Sequence, residues 1–144
     1  MRQSIRSLPI LLGLVVILSA CSSKAGEIEV KDAWARPADA GGNSAVYFEI
    51  VNDGPEEFLL SASSRIAEKT EVHKTVIQGD GTAKMEQQSS VEIPRGEEVI
   101  FAPGGLHVML IDLGESLAVG DQFDLTLNFE KMGEVTIHVP VQTP

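Results

Sequence analysis

Two histidines and two methionines in this 144-residue chain stand at separations that could bring soft donor atoms together. Residues 104–110 read GGLHVML, so His107 precedes Met109 by two positions in an otherwise apolar run. In an extended strand each residue rises about 3.3 Å and successive side chains alternate faces, which points both side chains the same way with Cα atoms about 6.6 Å apart. Leu106, Val108 and Leu110 then face the core. Alone, this pair reads equally as a hydrogen-bonded histidine beside a core-filling methionine. The second pair, His73 and Met85, flanks a GDG turn at 79–81. A loop of odd length, residues 78–80 or 77–81, would set the two opposite each other across a hairpin. An even loop would place them on opposite faces.

Met85 lies in the polar stretch TAKMEQQ, where a methionine has little hydrophobic reason to be. Thioethers are soft, uncharged donors that protonation cannot remove, and a His and Met cluster without cysteine selects Cu(I). Calcium and magnesium want oxygen ligands instead. A blue-copper electron carrier needs a cysteine ligand, and the only cysteine is Cys21, near the N-terminus.

Positioning these residues falls to short strands. Apolar runs alternate with turn signals, and no helical period is sustained, so the chain reads as an all-β, antiparallel Greek-key sandwich. Strands are expected over residues 45–51, 58–63, 69–77, 82–88, 98–101, 106–113, 122–129 and 134–139. The turns between them are NDGP at 52–55, GDG at 79–81, PRG at 94–96, PGG at 103–105 and KMG at 131–133. The strand ending at Phe129 alternates cleanly, with Phe123, Leu125, Leu127 and Phe129 on one face and Asp124, Thr126 and Asn128 on the other.

The N-terminus is a separate matter. Arg2 and Arg6 precede an apolar run over residues 8–18 and then LSAC, a secretory pattern too short to span a bilayer comfortably. LSAC resembles the bacterial lipobox, which implies a signal peptide over 1–20 and lipidation of Cys21. Residues 21–27 then form the lipidated cysteine and its tether, and 28–144 a single domain. Ser22 resembles an outer-membrane sorting signal in a cell with two membranes. Loss of Arg2 and Arg6 leaves 9 basic against 21 acidic residues, a net charge of −12. Nucleic acid and anionic lipid surfaces are therefore poor partners, and membrane attachment would rest on the lipid. With Cys21 consumed, no thiol remains for a disulfide or a thiolate ligand.

The spacing of the soft residues is that of a known pattern: His, an optional Met, ten residues, Met, twenty-one residues, then His-x-Met. Here it runs His73, Lys74 in the optional place, ten residues to Met85, twenty-one to His107, and Met109. With DAWARP at 32–37, AVYFEIVNDG at 45–54, EVHKT at 71–75, PGGLHVML at 103–110 and the closing LNFEKMGEVTIHVPV, the chain resembles the periplasmic copper chaperone family called PCuAC. The resemblance implies a cupredoxin-like sandwich that binds Cu(I) through His73, Met85, His107 and Met109. It also implies delivery of copper to the binuclear copper site of cytochrome c oxidase subunit II, from a lipid-anchored position on the periplasmic side. One chain supplies every implied ligand, so a monomer is expected. Lys74 departs from the pattern and removes a fifth soft ligand.

Other residues read as structural. Trp34 and Arg36 match the family's W-x-R but are expected to pack and pair. His138 falls on the polar face of its strand and Met132 in a turn. Glu71 shares a strand face with His73 and could orient it, although a solvated surface acid is the simpler expectation. No nucleophile elbow or zinc-protease signature is present, which argues against an enzyme. The competing readings are a metal-free adhesion or assembly lipoprotein, a copper buffer, and a zinc protein using all three histidines. The first makes Met85 and Met109 dispensable, and the last requires His138.

Overall fold

A computed structural model describes residues 28–144, and every helix-or-strand element in them is a strand. The expected signal peptide over 1–20 and the expected lipidation of Cys21 with its tether lie outside the described residues. The strands are β1 Ile28–Ala35, β2 Ser44–Asn52, β3 Glu57–Ser63, β4 Ala67–Ile77, β5 Ala83–Gln87, β6 Val91–Ile93, β7 Glu98–Phe101, β8 Leu106–Leu113, β9 Gln122–Phe129 and β10 Gly133–Pro140. They form a six-stranded sheet, β1-β2-β7-β8-β4-β5, and a four-stranded sheet, β10-β9-β3-β6. Along the edge away from β1, β2 serves two neighbours, its residues 44–46 pairing with β8 and 48–51 with β7. Among these strands every pairing is antiparallel except the contact of Phe101 with Leu106 between β7 and β8.

Alternation decides what each face carries. Val46, Phe48, Ile50, Val72, Val108 and Leu110 from one sheet meet Leu59, Ile93, Leu125, Leu127, Phe129 and Val139 from the other in one buried core. Phe48 and Phe101 stack within it at 4.4 Å between centroids. Each such fully buried side chain contributes about 1.5–3 kcal/mol. The residues between them, including Tyr47, His73, His107 and Met109, necessarily emerge on the far side of the six-stranded sheet.

Two strands escape the alternation pattern, for different reasons. β1 carries a bulge, with Lys31 opposite Glu49 but Trp34 opposite Tyr47, and Asp32 at φ 50°. The extra residue switches the inward set from Ile28 and Val30 to Ala35, so no strict period survives. It also turns Trp34 outward beside Tyr47. β6 is three residues long, too short to carry a period, though Val91 and Ile93 are both buried.

The β4–β5 register differs from the expected one. Ile77 pairs with Ala83, and Gln78 N–H donates to Thr82 O at 2.8 Å. The Asp80 carboxylate accepts from Thr82 N–H at 2.9 Å and from its hydroxyl at 2.7 Å, and Gly81 takes φ +85°. This pins the turn on Asp80, one residue later than direct pairing of His73 with Met85 requires. His73 therefore lies opposite Gln87 and Met85 opposite Thr75. The displacement is two residues along the partner strand, so His73 and Met85 keep a common face and become diagonal neighbours.

Candidate metal centre

A row of rings crosses the outer face of the six-stranded sheet. Trp34 and Tyr47 approach to 4.7 Å between centroids, and Tyr47 lies 6.4 Å from His107. His107 on β8 is directly opposite His73 on β4, their imidazoles 5.8 Å apart and edge-on at 75°. Two residues along β8, Met109 lies opposite Glu71. Met85 reaches the same face from β5, opposite Thr75. The four residues singled out by spacing thus share one face across three adjacent strands.

Hydrogen bonding assigns the ring protons. A carboxylate accepts only, so the 2.8 Å bond between His73 and Glu71 Oε2 puts a proton on His73 Nε2. A backbone carbonyl also accepts only, so the 3.1 Å contact with Gly105 O puts a proton on His107 Nδ1. In the neutral rings His73 Nδ1 and His107 Nε2 then carry lone pairs. Both are buried, and neither has a hydrogen-bond partner. An unpartnered buried polar atom costs about 1–3 kcal/mol, and native interiors avoid it. Two of them on directly opposed residues, flanked by two thioethers, form a donor set that a soft cation would complete.

His107 is only 4% exposed. Burial, above all, holds its pKa below the ordinary histidine range; the Gly105 carbonyl pulls the other way, while His73 and Arg36 add to the depression. The ring is therefore kept unprotonated, which is the form that coordinates.

Glu71 was expected to be a solvated acid, yet it is half-buried and holds His73 in one tautomer. Sequence cannot distinguish the two cases, because a carboxylate two residues from a histidine on a strand can equally point to water. Trp34 packs on Tyr47, and the Arg36 guanidinium lies 5.6 Å over the Tyr47 ring rather than against a carboxylate among the described residues. Tyr47 was missed; its position between inward Val46 and Phe48 was the available signal. Lys74 is exposed on the opposite face from His73. Met132 sits in the β9–β10 turn, packed against the core. His138 lies on β10, in the other sheet, exposed and bonded through Nδ1 to Asp124. Among the described residues no three His, Cys, Asp or Glu side chains gather around a common point.

The family described as "Putative lipoprotein LpqE-like" matches residues 28–141, from the first residue of β1 to just past β10. The chain belongs to that family. Solved PCuAC domains resemble this LpqE-like chain closely. The "Apo PCuAC domain from PmoF1" superposes with a TM-score of 0.70 at 30% identity, covering 83% of this chain and 96% of that one. The "Copper-bound PCuAC domain from PmoF2" gives a TM-score of 0.68 at 29% identity, covering 83% and 95%. In sequence, "Putative lipoprotein Lxx21020" of Leifsonia xyli subsp. xyli (strain CTCB07) is 31% identical over 137 residues, 92% of this chain and 82% of that protein. The LpqE-like fold is accordingly the cupredoxin-like sandwich of PCuAC domains.

Proposed function

We propose that this chain is an extracytoplasmic Cu(I) metallochaperone. His73 Nδ1, His107 Nε2 and the sulfurs of Met85 and Met109 hold the ion as cargo, and the protein hands it to an acceptor, the binuclear copper site of cytochrome c oxidase subunit II. It works as a monomer, anchored through lipid on Cys21 at the periplasmic face of the membrane. The observation that carries this reading is the pair of buried, unpartnered imidazole nitrogens on a face that also bears two methionines. Support comes from the copper-bound state of one similar PCuAC domain. Among the described residues no three His, Cys, Asp or Glu side chains converge, and Glu71, which stands beside the pair, is taken up by His73 Nε2–H; both weigh against a zinc or calcium site. His138, which the zinc alternative needs, is in the other sheet.

Anaerobic titration with Cu(I) against a competing chelator, with Zn(II) and Cu(II) alongside, tests the metal. Tight, selective uptake of one Cu(I) per chain is expected, and absence of Cu(I) binding overturns the proposal. Mixing the loaded protein with the metal-free soluble domain of subunit II tests the acceptor. Copper recovered with the acceptor after the two proteins are separated supports delivery, and retention of copper by the donor excludes it.

A further inference from the structure

The four donor residues are held very unequally. β8 lies inside the six-stranded sheet, with β4 on one side and β2 and β7 on the other, so His107 and Met109 sit on a strand fixed along both edges. β4 is also interior, between β8 and β5. β5 is the edge strand and touches only β4. Exposure follows the same order: His107 is 4% exposed and Met109 partly buried, whereas Met85 is 54% exposed.

The backbone sharpens the contrast. Gln88 N–H bonds to Val72 O, and Gln78 N–H to Thr82 O, which marks 72 with 88 and 78 with 82 as hydrogen-bonded pairs of the ladder. Such pairs alternate with non-bonded ones in an antiparallel ladder. Thr75 with Met85 is then a non-bonded pair, and the N–H and C=O of Met85 point to the free edge. A flexible thioether on a residue whose own peptide groups face solvent can leave a metal by a rotamer change, without disturbing the core.

Resting on the Cu(I) reading above, we propose that Met85 is the exchange ligand, the one that leaves when copper is passed on and closes when it is loaded, while His73, His107 and Met109 hold the ion throughout. The incoming soft donor, a thioether, thiolate or imidazole on the acceptor, approaches over the β5 edge. Its lone pair forms a bond to Cu(I) as the bond from Met85 Sδ breaks and the sulfur keeps its own pair. No electron moves, and copper stays Cu(I).

Transfer kinetics separate a leaving ligand from a retained one. A ligand already detached in the transition state contributes only to the bound state, so its removal weakens binding and speeds release by the same factor. A ligand still attached there contributes equally to both, so its removal weakens binding through slower loading. The Cu(I)-loaded protein, with the Cys21 thiol alkylated, is mixed anaerobically with bicinchoninate and followed by stopped flow. Met85→Leu should weaken equilibrium affinity about tenfold and accelerate transfer to the chelator about as much. Met109→Leu should weaken affinity by a similar factor with its transfer rate within about twofold of the parent. Leucine conserves volume at both positions, and thermal unfolding of the metal-free variants confirms that each folds. If both variants weaken binding but accelerate transfer alike, or Met109→Leu alone accelerates it, or neither does, the exchange assignment is wrong and the four-donor site stands. If neither variant weakens binding, the donor set itself fails and the exchange role with it.

Discussion

Both sheets carry histidine on their outer faces, and the two faces are finished differently. On the four-stranded sheet His138 is exposed and bonds its register partner Asp124, and the next cross-strand pair, Thr126 and Thr136, joins its hydroxyls at 3.0 Å. Among the described residues, every buried side-chain nitrogen or oxygen there has a hydrogen-bond partner, and the rest are open to solvent. On the six-stranded sheet His73 and His107 are sheltered, and each leaves one nitrogen with neither. Residue type does not separate the two faces; the fold completes the hydrogen bonding on one and stops short on the other. A deficit of this kind is retained where something outside the chain can fill it.

The largest test of that contrast is truncation of the rings. His73→Ala and His107→Ala should each weaken Cu(I) binding by about 100-fold or more in chelator competition, whereas His138→Ala should leave it within about twofold. An equal loss at His138 would erase the distinction between the faces.

Next comes a carboxylate that serves the fold alone. Burial pushes the Glu57 pKa up, but backbone N–H groups of Phe58, Lys131 and Met132 and the Lys131 charge outweigh it and hold it below the usual range. Its stabilisation is fully present above the unfolded carboxylate pKa of about 4.3 and is lost as pH falls through the depressed folded value. Glu57→Gln should cost about 2 kcal/mol by denaturant unfolding at neutral pH, flatten the acid limb of the stability profile, and leave Cu(I) affinity unchanged.

Glu71 is its counterpart on the other sheet, bonded to an imidazole instead of to backbone. Glu71→Ala should lower Cu(I) affinity about tenfold, with Glu71→Gln restoring most of it because the amide oxygen still accepts from Nε2–H. The smallest effect concerns acid. With the folded His107 pKa depressed, the metal-free protein should lose stability as pH falls from about 6.5, where the unfolded chain takes up a proton that the folded ring refuses, down to the depressed value, below which the loss levels off. Following the His107 ring by NMR should show it neutral below that ordinary range; titration at or above about 6.5 would contradict its sheltering.

Strands with strict alternation between turn residues were legible to the residue: β7, β8 and β9 begin and end where the sequence places them. β1 was not, because its bulge breaks the period, and β6 offers too few residues to have one. Sequence left open whether the loop after β4 is odd or even, and with it whether His73 and Met85 share a face; both that and the residues that oppose each other depend on Asp80 capping Thr82. The spacing of His107 and Met109 on one strand needed only the pleat. The tautomers did not follow from sequence at all. They depend on Glu71 folding back on its own strand and on a carbonyl in the PGG turn, contacts with no periodic signature.

That carbonyl belongs to Gly105, and it accepts twice, from His107 Nδ1–H at 3.1 Å and from Thr75 N–H at 3.1 Å. The second bond crosses from β8's approach to β4, so the oxygen that sorts the ring's proton is itself aimed by the docking of those two strands. An imidazole on an unfolded chain divides its proton between both nitrogens. Here the choice is made once, when β4 closes on β8, and a chain not yet folded presents no Nε2 lone pair of settled orientation. Competence to take up cargo is thus timed by folding, and an ion met too early finds a polypeptide rather than a receptacle.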